Sequence, residues 1–262
     1  MKNFRMTIEY DGGGFAGWQY QPRRRTVQGE IESALETMVG VPVRLAASGR
    51  TDAGVHALGQ VAGFRCETRL SPEIIQKGLN SMLDGDIVIR DCREAPDGFH
   101  ARFDAKGKTY HYHILNHALP SAIHRRHVWF IRRPLDTTAM QEAADHLLGE
   151  HDFSAFEGAG SPRSHSIRCI TEANLMKSVE GIIVFQISAN GFLRFMVRNI
   201  VGSLVDVGHR KTTPARFKRI LDSRDRRCAG ATAPPQGLFL MQVWYAGEEV
   251  QPSWRQKNHL PT

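Results

Sequence analysis

The sequence predicts an α+β protein: two halves of similar element order that share a large antiparallel sheet, with helices packed on one face. Three observations predict it. Short stretches alternate apolar and polar residues, as half-buried strands do. Longer stretches place apolar residues on one helical stripe and open on Thr, or on Ser or Thr followed by Pro. The order strand-helix-strand-strand-helix-strand also occurs twice along the 262 residues, without any repeat of the sequence itself.

The first half reads as follows. Residues 3–10, NFRMTIEY, form an alternating strand. After a glycine-rich turn, residues 26–39 place Val27, Ile31, Leu35 and Met38 on one helical face, with Thr26 as N-cap. Residues 41–48, VPVRLAAS, read as a short strand, and residues 58–66, LGQVAGFRC, as another that pairs with the first. Ser71 caps a helix over 71–83 with Pro72 at its first position, and residues 86–94 close as a strand. This β-α-β-β-α-β order is the ferredoxin-like or RRM-like pattern.

The second half follows the same order with additions. Residues 107–116 and 127–131 read as strands, and residues 136–149 as a helix ended by Gly149. Residues 151–166 form a polar loop, and residues 167–178 and 182–189 two strands joined by a turn at Glu180-Gly181. A strongly apolar helix spans 192–208, a basic one capped by Thr213 spans 213–223, and 238–246 is a final strand. The halves divide near Asp104, giving 1–104 and 105–262; the tail from Val250 has no assignable pattern.

Lys and Arg number 34 against 27 Asp and Glu, so the chain carries +7, with a pI near 9.5. Such a balance favours a polyanionic partner, nucleic acid before a membrane surface. Arginine clusters at Arg23–Arg25, Arg125-Arg126, Arg132-Arg133 and Arg224–Arg227, and its fork suits phosphate. No apolar run approaches the roughly 20 residues that span a bilayer, and the N-terminus lacks a signal-peptide pattern. The four cysteines are scattered, which argues against a cysteine zinc site and a disulfide framework. A soluble, cytoplasmic protein is expected.

Several motifs fail in context. Gly12, Gly14 and Gly17 satisfy G-x-G-x-x-G, but WQYQPRRR follows where a dinucleotide loop must open into a helix. Gly107-Lys108-Thr109 mimics the end of a phosphate-binding loop, but Arg102 stands where its first glycine belongs. His111 and His113 share a strand face and suit a structural or RNA-facing role better than a metal.

The stretch SGRTDAGVH, residues 48–56, sets Asp52 between Gly49 and Gly54 with Arg50 two residues before it. Residues two apart in extended chain share a face, so Arg50 is placed to favour the ionised carboxylate. An ionised, positioned carboxylate is a nucleophile or a base; a turn in which Asp52 bonds backbone amides reads the same residues equally well.

The wider sequence resembles the TruA-type tRNA pseudouridine synthases. The resemblance rests on GRTDAGVHA (49–57), YDGGGFAGWQ (10–19), VQGEIESAL (27–35), FHARFDAKGKTYHY (99–112), DFSAF (152–156), FMVRNIVGSL (195–204) and APPQGLFL (233–240). Lys108 departs from a common arginine, and Asp104 from a common serine, neither at the central chemistry. The resemblance implies isomerisation of uridine to pseudouridine at positions 38, 39 and 40 of the tRNA anticodon stem-loop, by a homodimer, with no cofactor or metal. It implies that Asp52 is catalytic, that Tyr110 stacks on the uracil, that Arg50 fills the space of the flipped nucleotide, and that Arg198 pairs with Asp52. The competing reading is a non-catalytic RNA binder of two RRM-like halves, although residues 58–66 offer only Phe64 to the aromatic signature that such domains use.

Overall fold

The structure is a computed structural model and describes residues 1–160 and 165–248, so the tail from Val250 lies outside the described residues. Its strands are β1 (Lys2–Tyr10), β2 (Ala46–Ala47), β3 (His56–Cys66), β4 (Ile87–Glu94), β5 (Ala105–Asn116), β6 (Trp129–Ile131), β7 (Gly149–Asp152), β8 (Ile167–Lys177), β9 (Ile182–Ala189) and β10 (Leu238–Tyr245). Its α-helices are α1 (Val27–Val39), α2 (Pro72–Met82), α3 (Thr137–Asp145), α4 (Met196–Gly208) and α5 (Pro214–Ser223). The caps form as the sequence predicts: the side chains of Thr26, Ser71 and Thr213 accept from the backbone N–H of Gly29, Ile74 and Arg216.

One sheet of ten strands runs β4-β1-β3-β10-β5-β9-β8-β7, with β2 added on β3 and β6 on β5. The first half contributes the ladder β4-β1-β3-β2. The second contributes β10-β5-β9-β8, the same order of first, second, third and fourth strands, extended by β7. The halves meet where β10 lies parallel to the start of β3, pairing Phe239 with His56 and Leu240 with Ala57. Pairing register then carries one row of side chains across the sheet: Tyr10, Ala57, Leu240, Tyr110, Ile187 and Ala173. All six are buried, and the buried residues of the five α-helices join them in one continuous core. The opposite face carries the row His56, Phe239, His111 and Gln186.

Three sequence expectations change. The strand expected over 41–48 shrinks to Ala46–Ala47, because the Glu32 carboxylate takes the Leu45 N–H at 2.8 Å before the ladder can use it. The helix expected to end at Gly149 stops at Asp145. There the N–H groups of Leu147 and Leu148 turn back to Ala144 and Asp145, burying Leu147, and Gly149 at φ +91° opens β7 instead. The apolar helix starts at Met196, four residues later than expected, since Phe195 sits at φ +59°.

A close approach fixes α4 against the loop that precedes β10. A Cβ on Gly202 would lie 1.7 Å from the Ala231 carbonyl oxygen. The same loop is tied to the helix by Gly230 N–H to Ser203 Oγ (2.9 Å) and by Ala233 N–H to the Arg198 carbonyl (3.0 Å). Gly202→Ala is therefore expected to destabilise the fold by about 1–3 kcal/mol or more, read as a lower urea midpoint; an unchanged midpoint would show that the loop yields freely.

Candidate active site

Residues 48–55 connect β2 to β3 and carry Asp52. Gln60, fully buried on β3, holds the start of this loop: its Oε1 accepts from Ser48 Oγ at 2.8 Å and its Nε2 donates to the Gly49 carbonyl at 2.9 Å. Tyr10 and Thr51 join hydroxyls at 2.8 Å, and the Thr51 carbonyl accepts from Trp18 N–H at 3.1 Å. Lys108 on β5 donates to the Ser48 carbonyl at 2.6 Å, so this departure from the common arginine supports the loop directly. The glycines of the failed dinucleotide motif have a packing role. A Cβ on Gly12 would meet the Val55 carbonyl at 2.0 Å, and one on Gly17, at φ +100°, would meet the Thr51 carbonyl at 2.8 Å. They let the turn after β1 lie directly under the Asp52 loop.

Asp52 is partly buried, and its Oδ2 lies 3.1 Å from Arg198 Nη1. Burial pushes its carboxyl above the ordinary range; Arg198, by charge and by hydrogen bond, and Arg194, by charge, pull the other way. The cation that faces Asp52 is therefore Arg198. The expectation that Arg50 shares its face and favours its charge is replaced: Arg50 is exposed and makes no hydrogen bond or ion pair with the described residues. Arg198 is aimed by a second bond from its Nε to the Ala233 carbonyl at 2.8 Å, and its guanidinium sits 5.0 Å from the ring centre of Phe195. The left-handed backbone of Phe195 turns the chain sharply into α4, placing the Arg194 and Arg198 guanidinium groups 4.7 and 5.0 Å from its ring centre.

Tyr110 lies in the buried row of the sheet, edge-on to Phe192 at 5.1 Å between ring centres. Burial, then the charges of Tyr10 and Asp52, push its phenol well above the ordinary value, so it stays protonated at any working pH. The structure thus brings Asp52, Tyr110 and Arg198 together from three separate segments and leaves Arg50 at the exposed lip of the loop.

Sequence reasoning missed Gln60, Phe192 and Arg194. Gln60 had a signal, an amide among the apolar residues of a central strand; Phe192 and Arg194 had none, because their roles depend on the turn at Phe195. The arginine clusters prove mixed. Arg25 is bound by Asp86 (2.6 Å) and Asp84 (2.9 Å), Arg226 by Asn199 (3.0 Å), and Arg227 by Asp225 (2.7 Å). The side chains of Arg23, Arg24, Arg126 and Arg133 form no such bonds with the described residues.

Comparison with known proteins places the chain in a family. A family model described as tRNA pseudouridine synthase matches residues 6–104 and 143–246. A tRNA pseudouridine synthase A from Geotalea uraniireducens is 45% identical over 245 residues, 94% of this chain and 100% of that one. A tRNA pseudouridine synthase A from Acetivibrio thermocellus is 44% identical over the same shares of the two chains. The matched residues include the Asp52 loop and Arg198, Tyr110 lies between the two matched stretches, and the chain belongs to the tRNA pseudouridine synthase family.

Proposed function

We propose that this protein isomerises uridine to pseudouridine at positions 38, 39 and 40 of the tRNA anticodon stem-loop, acting in the cytoplasm as a homodimer. The half 1–104 supplies the Asp52 loop, and the half 105–262 completes the cleft with Tyr110 and Arg198. The observation that carries the reading is one carboxylate, Asp52, held beside a buried aromatic ring and an aimed guanidinium. Among the described residues no helix is long and apolar enough to cross a membrane.

The reaction breaks the bond between ribose C1′ and uracil N1, turns the base, and rejoins it through C5, which loses its proton while N1 gains one. A stacked and paired target must first be extruded, at a cost of a few kcal/mol. Arg50, exposed at the lip of the loop, is suited to fill the vacated space and bond phosphate or bases. The Tyr110 ring holds the extruded uracil by stacking, worth roughly 1–3 kcal/mol. Asp52 acts on the sugar or base as nucleophile at C1′ or C6, or as the base that removes a sugar proton, and Arg198 keeps it charged and aimed. No metal or cofactor enters these steps.

Incubating unmodified tRNA with the protein and mapping pseudouridine by mass spectrometry tests the reading. Product confined to positions 38–40 supports it; product only elsewhere in the tRNA, or none, overturns it. Phosphate binding by the unpaired arginines also predicts a tRNA affinity that falls steeply with salt. With about five phosphates neutralised, the loss between about 50 and 200 mM is on the order of several hundred-fold, measured by filter binding.

A further inference from the structure

Asp11, His56 and His127 bring their donor atoms within 4.8 Å of one another at the start of β3, beside the Asp52 loop. His56 Nδ1 lies 3.1 Å from Asp11 Oδ1, and His127 Nε2 lies 3.2 Å from Asp11 Oδ2. Tetrahedral ligands at about 2.0–2.1 Å from a zinc ion stand roughly 3.3 Å apart, so these separations need little adjustment.

The proton positions favour a cation there. His56 Nε2 faces the Arg126 carbonyl at 3.0 Å, and a carbonyl only accepts, so the proton of the neutral ring is on Nε2. Its Nδ1 then presents a lone pair to a carboxylate oxygen 3.1 Å away. Two acceptors at that distance repel, and a cation between them would relieve the contact. A ring whose far nitrogen donates to a backbone carbonyl is also the usual support for a metal-ligating histidine. Phe239 stacks on the His56 ring at 4.6 Å and fixes its plane. Two groups compete: the Gly12 N–H points at the same Nδ1 from 3.1 Å and is what an ion would displace, and the Gly13 N–H bonds Asp11 Oδ1 at 2.8 Å.

We propose that Asp11, His56 and His127 form a structural site for a divalent transition-metal ion of the zinc class, apart from the isomerisation chemistry. Two neutral imidazoles and one carboxylate suit Zn²⁺, Co²⁺ or Ni²⁺ over Mg²⁺ or Ca²⁺. Asp11 and His127 are partly exposed, which leaves a fourth position to water. Asp11 follows β1, His56 opens β3, and His127 belongs to the stretch between β5 and β6 that carries Arg125 and Arg126. The ion would fasten that arginine-bearing stretch to the half that holds Asp52.

The test uses chelator-treated, desalted full-length protein. Zn²⁺ is titrated against a chromophoric chelator, and Co²⁺ is followed by its visible spectrum. One equivalent of Zn²⁺ is expected, with intense tetrahedral Co²⁺ bands and a Zn²⁺-dependent rise in melting temperature. His127→Ala and Asp11→Asn, at partly exposed positions, are each expected to weaken binding at least about tenfold and to remove the Co²⁺ bands. His124→Ala, nearby but outside the triad, is expected to retain both. No saturable binding by the wild type overturns the site. Binding that survives in either Asp11→Asn or His127→Ala also overturns it, because three donors are then not holding the ion.

Discussion

Asp52→Ala is expected to lower pseudouridine formation by on the order of 10⁴-fold or more, since it removes the group proposed to act on the reacting atoms. Affinity for tRNA is expected to stay within a few-fold, because affinity comes from cations on phosphates and the substitution removes a negative charge. Tritium release from tRNA labelled at uridine C5, measured beside filter binding, gives both numbers. Unfolding is not the expected cause of the loss. The folded-state pKa of Asp52 is raised, so its stabilising contribution is complete only below the unfolded value of about 3.9 and is lost as pH rises through the folded value. At neutral pH the buried charge is a net cost to the fold, and alanine relieves it while Arg198 keeps its bond to the Ala233 carbonyl. Tritium release that survives the substitution would remove Asp52 from the chemistry. Intact binding with no product from the wild type would favour the non-catalytic RNA binder.

The architecture was legible in the sequence wherever local signals and burial agree. Thr26, Ser71-Pro72 and Thr213-Pro214 mark helix starts because a side-chain oxygen is needed there whatever the tertiary context. The repeated element order follows from the hydrophobic period, and it predicts the shared sheet. Elements failed where a distant side chain decides them: the Glu32 carboxylate removes the Leu45 N–H from the ladder, and burial of Leu147 ends α3 early. The site divides in the same way. Asp52 stands out because two glycines bracket it. The pairing of Asp52 with Arg198, 146 residues away, cannot be read from local spacing and entered only through resemblance to a family. Spacing alone pointed to Arg50, the wrong cation, because a loop held at Ser48, Gly49 and Thr51 is not an extended strand.

Arg198→Ala is expected to change the pH dependence of the reaction as well as its rate. Two opposing effects act on Asp52: burial disfavours its charge, and Arg198 chiefly offsets it, with a smaller contribution from Arg194. Without Arg198 the burial effect is less opposed, so the Asp52 pKa moves further up. If the carboxylate is the reactive form, activity falls as pH drops through that pKa, and in the variant the fall begins at higher pH. The ratio of wild-type to variant rate is therefore largest at the acid end of a scan from about pH 5 to 8 and narrows toward the alkaline end. Because the pair is partly exposed and Arg194 remains, the loss near neutrality is expected at roughly 10–10²-fold rather than the full cost of a buried, unpaired charge. Arg198→Lys separates charge from aim. An ammonium restores a cation near Asp52, so the acid limb returns toward wild type. It lacks the fork that bonds the Ala233 carbonyl and Asp52 together, so the plateau rate stays low. Single-turnover rates across pH for the three proteins decide the matter: parallel profiles for wild type and Arg198→Ala would show that Arg198 positions Asp52 without setting its charge.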